Sequence, residues 1–170
     1  MKLNALRRAA FPAILFLALC AGLRAERFPV NLQYQCPAGT PPVFMIQAPG
    51  GKVALVHVKC TISNLTIRGV RVTGNDMVSR GIIHPDGSYQ ATGYEIGALD
   101  DKAADTYLAE WDEVGTKAGN TVKLTYKSGT GPAAGITGQI EIKCTSVGAV
   151  ETCHGTGYYD LPAPSPKPVK

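Results

Sequence analysis

Lys52-Val53-Ala54-Leu55-Val56-His57-Val58-Lys59-Cys60-Thr61-Ile62 is the stretch whose reading decides the fold. It is rich in β-branched residues, which suit a pleated, half-buried strand. Successive side chains of a strand point to opposite faces. Val56, Val58, Cys60 and Ile62 therefore share one face, and His57 falls on the other, solvent side. The signature recurs on either side. Asn31–Cys36 sets Leu32, Tyr34 and Cys36 together, and Val43–Gln47 follows a break at Pro37–Pro42. Pro49-Gly50-Gly51 turns the chain into the quoted stretch. Leu65–Thr73 reads as a strand bounded by Gly74-Asn75-Asp76. Ser79–Tyr94 reads as a hairpin about Pro85-Asp86-Gly87, with Pro fixing φ and Gly accepting a positive one. Thr121–Tyr126 is a further strand, Lys127–Gly138 a loop, and Gly138–Tyr159 a last hairpin.

One segment changes period. Ala103, Ala104, Tyr107, Leu108, Trp111 and Val114 recur at spacings of three and four. That spacing predicts an amphipathic helix over about 100–114, capped by Asp100 or Asp101 and ended by Gly115. The expected fold is mainly β: an antiparallel sheet, sandwich or barrel with this one helix packed on it.

The N-terminus carries a separate signal. Lys2, Arg7 and Arg8 precede an apolar run from Ala9 to Leu23, and Leu23-Arg24-Ala25 ends on a small residue. This is the layout of a secretory leader, so residues 1–25 are expected to be removed on export. Leu17-Ala18-Leu19-Cys20 also has the outline of a lipoprotein box, although Leu19 is bulkier than the Gly or Ala usual there. Four of the 17 Lys and Arg fall in the leader and none of the 13 Asp and Glu, so residues 26–170 balance at 13 against 13. A neutral domain has no long-range pull toward nucleic acid or anionic membrane. No apolar run reaches the length of about 20 residues that a membrane-spanning helix needs. Residues 26–160 have the size of one domain, and the Pro- and Lys-rich stretch 161–170 reads as a flexible tail.

Export places Cys36, Cys60, Cys144 and Cys153 in an oxidising compartment. Four cysteines allow three pairings. Val147-Gly148-Ala149-Val150 reads as a two-residue hairpin turn with Gly148 at positive φ, which sets Cys144 opposite Cys153 and leaves Cys36 with Cys60. The rival is a bridge from Cys60 to Cys144 across a sandwich. No zinc-ribbon spacing occurs, and neither metal nor cofactor is expected.

The candidate chemistry is sparse. His57, His84 and His154 could serve as acid and base with Glu95 or Glu141, but their spacing does not demand it, and they read as surface residues. The stretch Glu95–Glu113 holds seven carboxylates against Lys102 alone. Paired carboxylates can cleave glycosides, yet on the expected helix they read as a solvated face. Arg68, Arg71 and Arg80 are candidates for a compensating basic surface. No Gly-x-Ser-x-Gly elbow is present, and Gly129-Thr130-Gly131 and Gly155-Thr156-Gly157 lack the phosphate-cradling pattern. Asn64-Leu65-Thr66 fits the N-glycosylation acceptor and matters only in a eukaryotic producer.

Tyr34-Gln35-Cys36 soon after a leader, with a late cysteine, resembles the opening of small fungal secreted effectors, including ribonuclease-like ones. Extended to Gly39, the same element resembles the opening of bacterial periplasmic lysozyme inhibitors, small disulfide-bonded β-barrels. The first resemblance implies a secreted effector that binds a protein or glycan outside the producing cell without catalysis. The second implies a periplasmic inhibitor of lysozyme or a protease, and the ribonuclease-like members imply a hydrolase. With no catalytic set in the sequence, the non-enzymatic reading leads. Its expected contact surface is the exposed face of the 100–114 segment with the 79–94 hairpin, carried by Asp105, Glu110 and Glu113.

Overall fold

The computed structural model describes residues 25–100 and 102–163. The expected leader, apart from Ala25, lies outside them, as do Asp101 and residues 164–170 of the expected tail. Among the described residues ten strands form: β1 (Glu26–Pro37), β2 (Phe44–Ala48), β3 (Gly51–Ile62), β4 (Thr66–Ile67), β5 (Val70–Ile83), β6 (Tyr89–Leu99), β7 (Lys102–Thr116), β8 (Gly119–Gly129), β9 (Thr137–Val147) and β10 (Val150–Leu161). Eight of them close into an antiparallel barrel in the circuit β3-β1-β10-β9-β8-β7-β6-β5 and back to β3. β2 extends the wall along β3 where β1 has left it, and β4 adds two residues beside β5.

Alternation builds the interior. Even-numbered residues face inward on β1, β3, β8 and β9, and odd-numbered ones on β6, β7 and β10. The lower half is filled by Leu99, Tyr107, Leu124, Tyr126, Ile140, Tyr159 and Leu161. A 3-10 turn at Gly131–Ala133 packs on β7 and β8 there, and Ala133 and Ile136 are buried. Eight strands enclose about enough room for their own side chains or for one small ligand, so such filling closes that end.

The predicted helix is not formed; the described residues contain no α-helix, and 102–116 is the strand β7. The misleading period has a physical source. Tyr107 and Trp111 are inward residues four apart, and each lies across from a glycine on β6, in the pairs Tyr107–Gly97 and Trp111–Gly93. The reverse arrangement follows above, with Tyr89 across from Gly115. Each ring occupies the space a glycine Cβ would need. Ring-over-glycine stacking thus repeats every four residues along a strand, and Leu108 and Val114, which completed the helical pattern, sit on the outer wall. Gly115 is inside a strand rather than ending a helix, and Asp100 takes a positive φ of 51° in the β6–β7 turn.

Two boundaries also move. Gly74-Asn75-Asp76 is not a turn; β5 runs through it with a register shift between Val72 and Gly74. The true turn is Arg68-Gly69, both at positive φ. Leu161, expected to open the tail, ends β10 and is buried.

Cys36 is bonded to Cys60 and Cys144 to Cys153. The β9–β10 register follows the expected turn, with Val147 opposite Val150, Cys144 opposite Cys153 and Gly148 at φ 63°. The other bridge sits at the shortest seam of the barrel. β1 and β3 share only the pairs Tyr34–Ile62 and Gln35–Thr61, and Cys36–Cys60 is the next rung of that ladder. The cross-sheet bridge between Cys60 and Cys144 does not form. The Tyr-x-Cys element points both side chains into the barrel, with the Tyr34 hydroxyl 3.9 Å from Cys144 Sγ.

Candidate functional site

The end of the barrel opposite the 3-10 turn is open. It is ringed by the end of β1, the β2–β3 turn, the 84–88 turn and the β9–β10 hairpin, and it leads to a cavity of about 370 Å³. The walls differ in chemistry because different strands supply them. β3 and β5 contribute Ala54, Val56, Val58, Ser79 and Gly81, small or aliphatic groups. β7 and β10 contribute Trp111, Glu113 and Glu151, with Tyr89 at the start of β6 and Ser146 at the end of β9. In the circuit, β8 and β9 stand across from β3 and β5. The polar arc β7–β10 therefore faces the aliphatic wall.

One amide organises the polar arc. Asn120, on β8, donates through Nδ2 to Glu113 Oε1, to Glu151 Oε1 at 3.3 Å and to the Tyr89 hydroxyl at 2.8 Å. Tyr89 donates its hydroxyl to Glu113 Oε1 at 2.6 Å, and Ser146 Oγ approaches Glu151 Oε1 at 3.4 Å. Both carboxylates thus lie within reach of a single nitrogen. Burial pushes Glu113 and Glu151 above the ordinary carboxylate range, opposed by these hydrogen bonds. Burial likewise raises the Tyr89 phenol, reinforced by its bond to Glu113. Two polar atoms in this region have no partner among the described residues: the indole Nε1 of Trp111 and Oδ1 of Asn120, both buried.

A second acid lies deeper. Glu95 is completely buried, accepts from Asn75 Nδ2 at 2.9 Å and from the Tyr107 hydroxyl at 2.8 Å, and is pushed up to about 7 by burial. Its two oxygens are each satisfied, and it does not line the open cavity. It is an internal polar tie between β5, β6 and β7.

The residues singled out from sequence are dispersed. Glu113 does not share a surface with Asp105 and Glu110: it faces into the mouth, whereas Glu110 faces out and pairs with Lys127 at 2.6 Å. Asp105 lies beside Gly131 at the closed end. A strand sends neighbours to opposite faces, so an acidic run that would form one helical face is split between interior and exterior. The three histidines do not meet. His57 is on the outer wall with Asp76 and Lys59, His84 reaches the Gly50 carbonyl at 3.3 Å, and His154 faces outward on β10. Arg71 and Arg80 are exposed near opposite ends of β5, and Arg68 donates to the Pro162 carbonyl. Asn64 is exposed, and its Oδ1 accepts from the Gln33 amide at 2.6 Å.

Sequence reasoning passed over Tyr89, Trp111, Asn120 and Glu151 as a group. A signal for Glu151 was present. Once the 147–150 turn sets Cys153 inward, Glu151 must share its face. Glu151 and the sulfurs of Cys144 and Cys153 lie within 4.8 Å of one another, but the sulfurs are bonded to each other and offer no thiolate. No described helix is long and apolar enough to cross a membrane. Comparison of the chain with protein families, with curated proteins and with solved structures finds no match.

Proposed function

We propose that this chain is an exported, non-catalytic binding protein that takes its ligand, or a protruding group of a larger partner outside the producing cell, into the open mouth of the barrel. The observation that carries this reading is the cavity of about 370 Å³ with an aliphatic wall facing a polar arc. Concave sites of this size with a few convergent polar groups are the usual form of a ligand pocket. Two disulfides are what an oxidising compartment allows. The test is uptake of a neutral apolar fluorophore, N-phenyl-1-naphthylamine. Ala54 lines the cavity and is buried, so Ala54→Phe fills it. Uptake by the native protein and loss in the filled variant, with an unchanged circular dichroism spectrum, is the expected result. Equal uptake by both would rule the mouth out.

A hydrolase is the second reading, favoured by Glu113 and Glu151 lying side by side in the same mouth. Acid–base pairs work when their surroundings push the two groups apart in acidity. Here burial raises both and one amide serves both, which favours binding. Release of product from glycan or RNA that vanishes in Glu151→Gln would reverse that preference.

A further inference from the structure

We infer that the group bound in the mouth is an organic ammonium ion: a protonated amine carried on an apolar body. This rests on the cavity being a binding site and specifies what it recognises.

The argument begins with unspent acceptors. Every hydrogen bond to the acidic pair lands on an Oε1 atom, two on Glu113 and two on Glu151. Neither Oε2 receives a donor among the described residues. Asn120 Oδ1, in the same cluster, is also without one, but Asn120 does not line the cavity. Two carboxylate oxygens thus stand open at the cavity, and a primary ammonium carries three N–H donors and no acceptor. A neutral hydroxyl supplies only one.

The charge is equally unbalanced. Among the described residues, none that lines the cavity is Lys, Arg or His. Half-buried carboxylates ordinarily recruit a basic partner. On the outer wall they do so, as Glu110 with Lys127 and Asp76 with Lys59 show. Inside the mouth Asn120 is a neutral substitute, and the remaining charge is left for something that enters. A bare inorganic cation would satisfy the oxygens but not the opposite wall. Ala54, Val56 and Val58 face the polar arc from β3, and Trp111 lines the floor, so the fitting cation has an apolar body. A free small amine and a lysine side chain projecting from a protein share this chemistry.

The experiment follows the fluorescence of Trp111, the only tryptophan, during titration with n-hexylammonium, n-hexanol, hexanoate and calcium chloride. Hexylammonium is expected to bind at least tenfold more tightly than hexanol, and hexanoate more weakly than either. The Glu113→Gln/Glu151→Gln double variant should lose that tenfold preference. Equal affinity of native protein for hexylammonium and hexanol, or a preference surviving in the double variant, overturns the ammonium inference and leaves the cavity reading standing. Calcium that binds alone and displaces hexylammonium also overturns it in favour of a metal. If hexanol, hexylammonium and the neutral fluorophore all fail to bind, the cavity reading itself falls. N-acetyl-lysinamide binding as well as hexylammonium points to a protein lysine as the source, and much weaker binding to a free amine; either result upholds the ammonium.

Discussion

Replacing Glu95 by Gln should change how stability depends on pH more than any other single substitution in the barrel. Glu95 is completely buried and pushed up to about 7 from an ordinary 4.5 by burial, opposed by the bonds from Tyr107 and Asn75. The folded state then holds a proton that the unfolded chain has released, over the window between those values. Stability falls as pH rises wherever the folded state binds more protons. The penalty is small below about pH 4.5, grows through the window and is complete above about pH 7. At about 1.4 kcal/mol per tenfold change in binding, it comes to about 3 kcal/mol in full, most of it arising between pH 5 and pH 8. Gln keeps the shape without the charge. Its Oε1 can accept from the Tyr107 hydroxyl, and once the Asn75 amide, which now donates to Glu95 through Nδ2, turns over, its own amide can donate to Asn75 Oδ1, which has no donor among the described residues. Urea unfolding of both proteins at pH 5 and pH 8 measures the difference, which cancels every group the two share, including Glu113 and Glu151. The native protein should lose about 2–3 kcal/mol more than Glu95→Gln across that interval. Identical pH dependence in the two would refute the reasoning, because it would mean that Glu95 has the same proton affinity folded and unfolded.

The glycine–ring stack predicts that Gly97→Ala, whose new Cβ would overlap the buried Tyr107 ring, destabilises by about 1–3 kcal/mol. Thermal unfolding checks this, and an unchanged midpoint would contradict it. Removing the Cys36–Cys60 bridge as a Cys→Ala pair should cost about 3 kcal/mol by loop-closure entropy and speed hydrogen exchange at the β1–β3 seam before the rest of the wall. Uniform acceleration around the barrel would show that the seam is not its weak point. N-terminal sequencing of exported protein should begin near Glu26; a mature form retaining Met1 would end the leader reading.

The sequence exposed the parts of this fold that depend on alternation and turns. The 52–62 strand, the Pro85-Asp86-Gly87 turn and the 147–150 turn all obey local rules, and the last fixed a disulfide through register. Closure was not legible, because it rests on pairing the first strand with the last and on a short β1–β3 ladder that skips β2. The helix failed for a reason specific to barrels. Stacking Tyr107 and Trp111 on Gly97 and Gly93 spaces the rings by four, and apolar residues on the outer wall at Leu108 and Val114 filled in a helical stripe. The same error hid the site. On a helix Glu113 belongs with Glu110; on a strand it belongs with Trp111, and only tertiary pairing brings it to Asn120 and Glu151.

The two acidic centres inside the barrel answer to different demands. Glu95 receives a donor on each oxygen and ties three strands together, so its burial is compensated locally. Glu113 and Glu151 crowd their bonds onto one oxygen each. Glutamine at either position would retain an acceptor for Tyr89, Asn120 or Ser146 and would shed the desolvation that raises both acids. Fold stability alone therefore favours Gln at 113 and 151. The double substitution should raise the thermal midpoint, and raise it more at pH 8 than at pH 5, since carboxyls that burial makes weaker acids destabilise the fold as pH climbs above their ordinary range. A stabilised double variant that no longer prefers an ammonium probe is the signature of a site held against stability for recognition. A lowered midpoint would instead show that the pair stabilises the fold and would end the argument that it is held against stability for recognition.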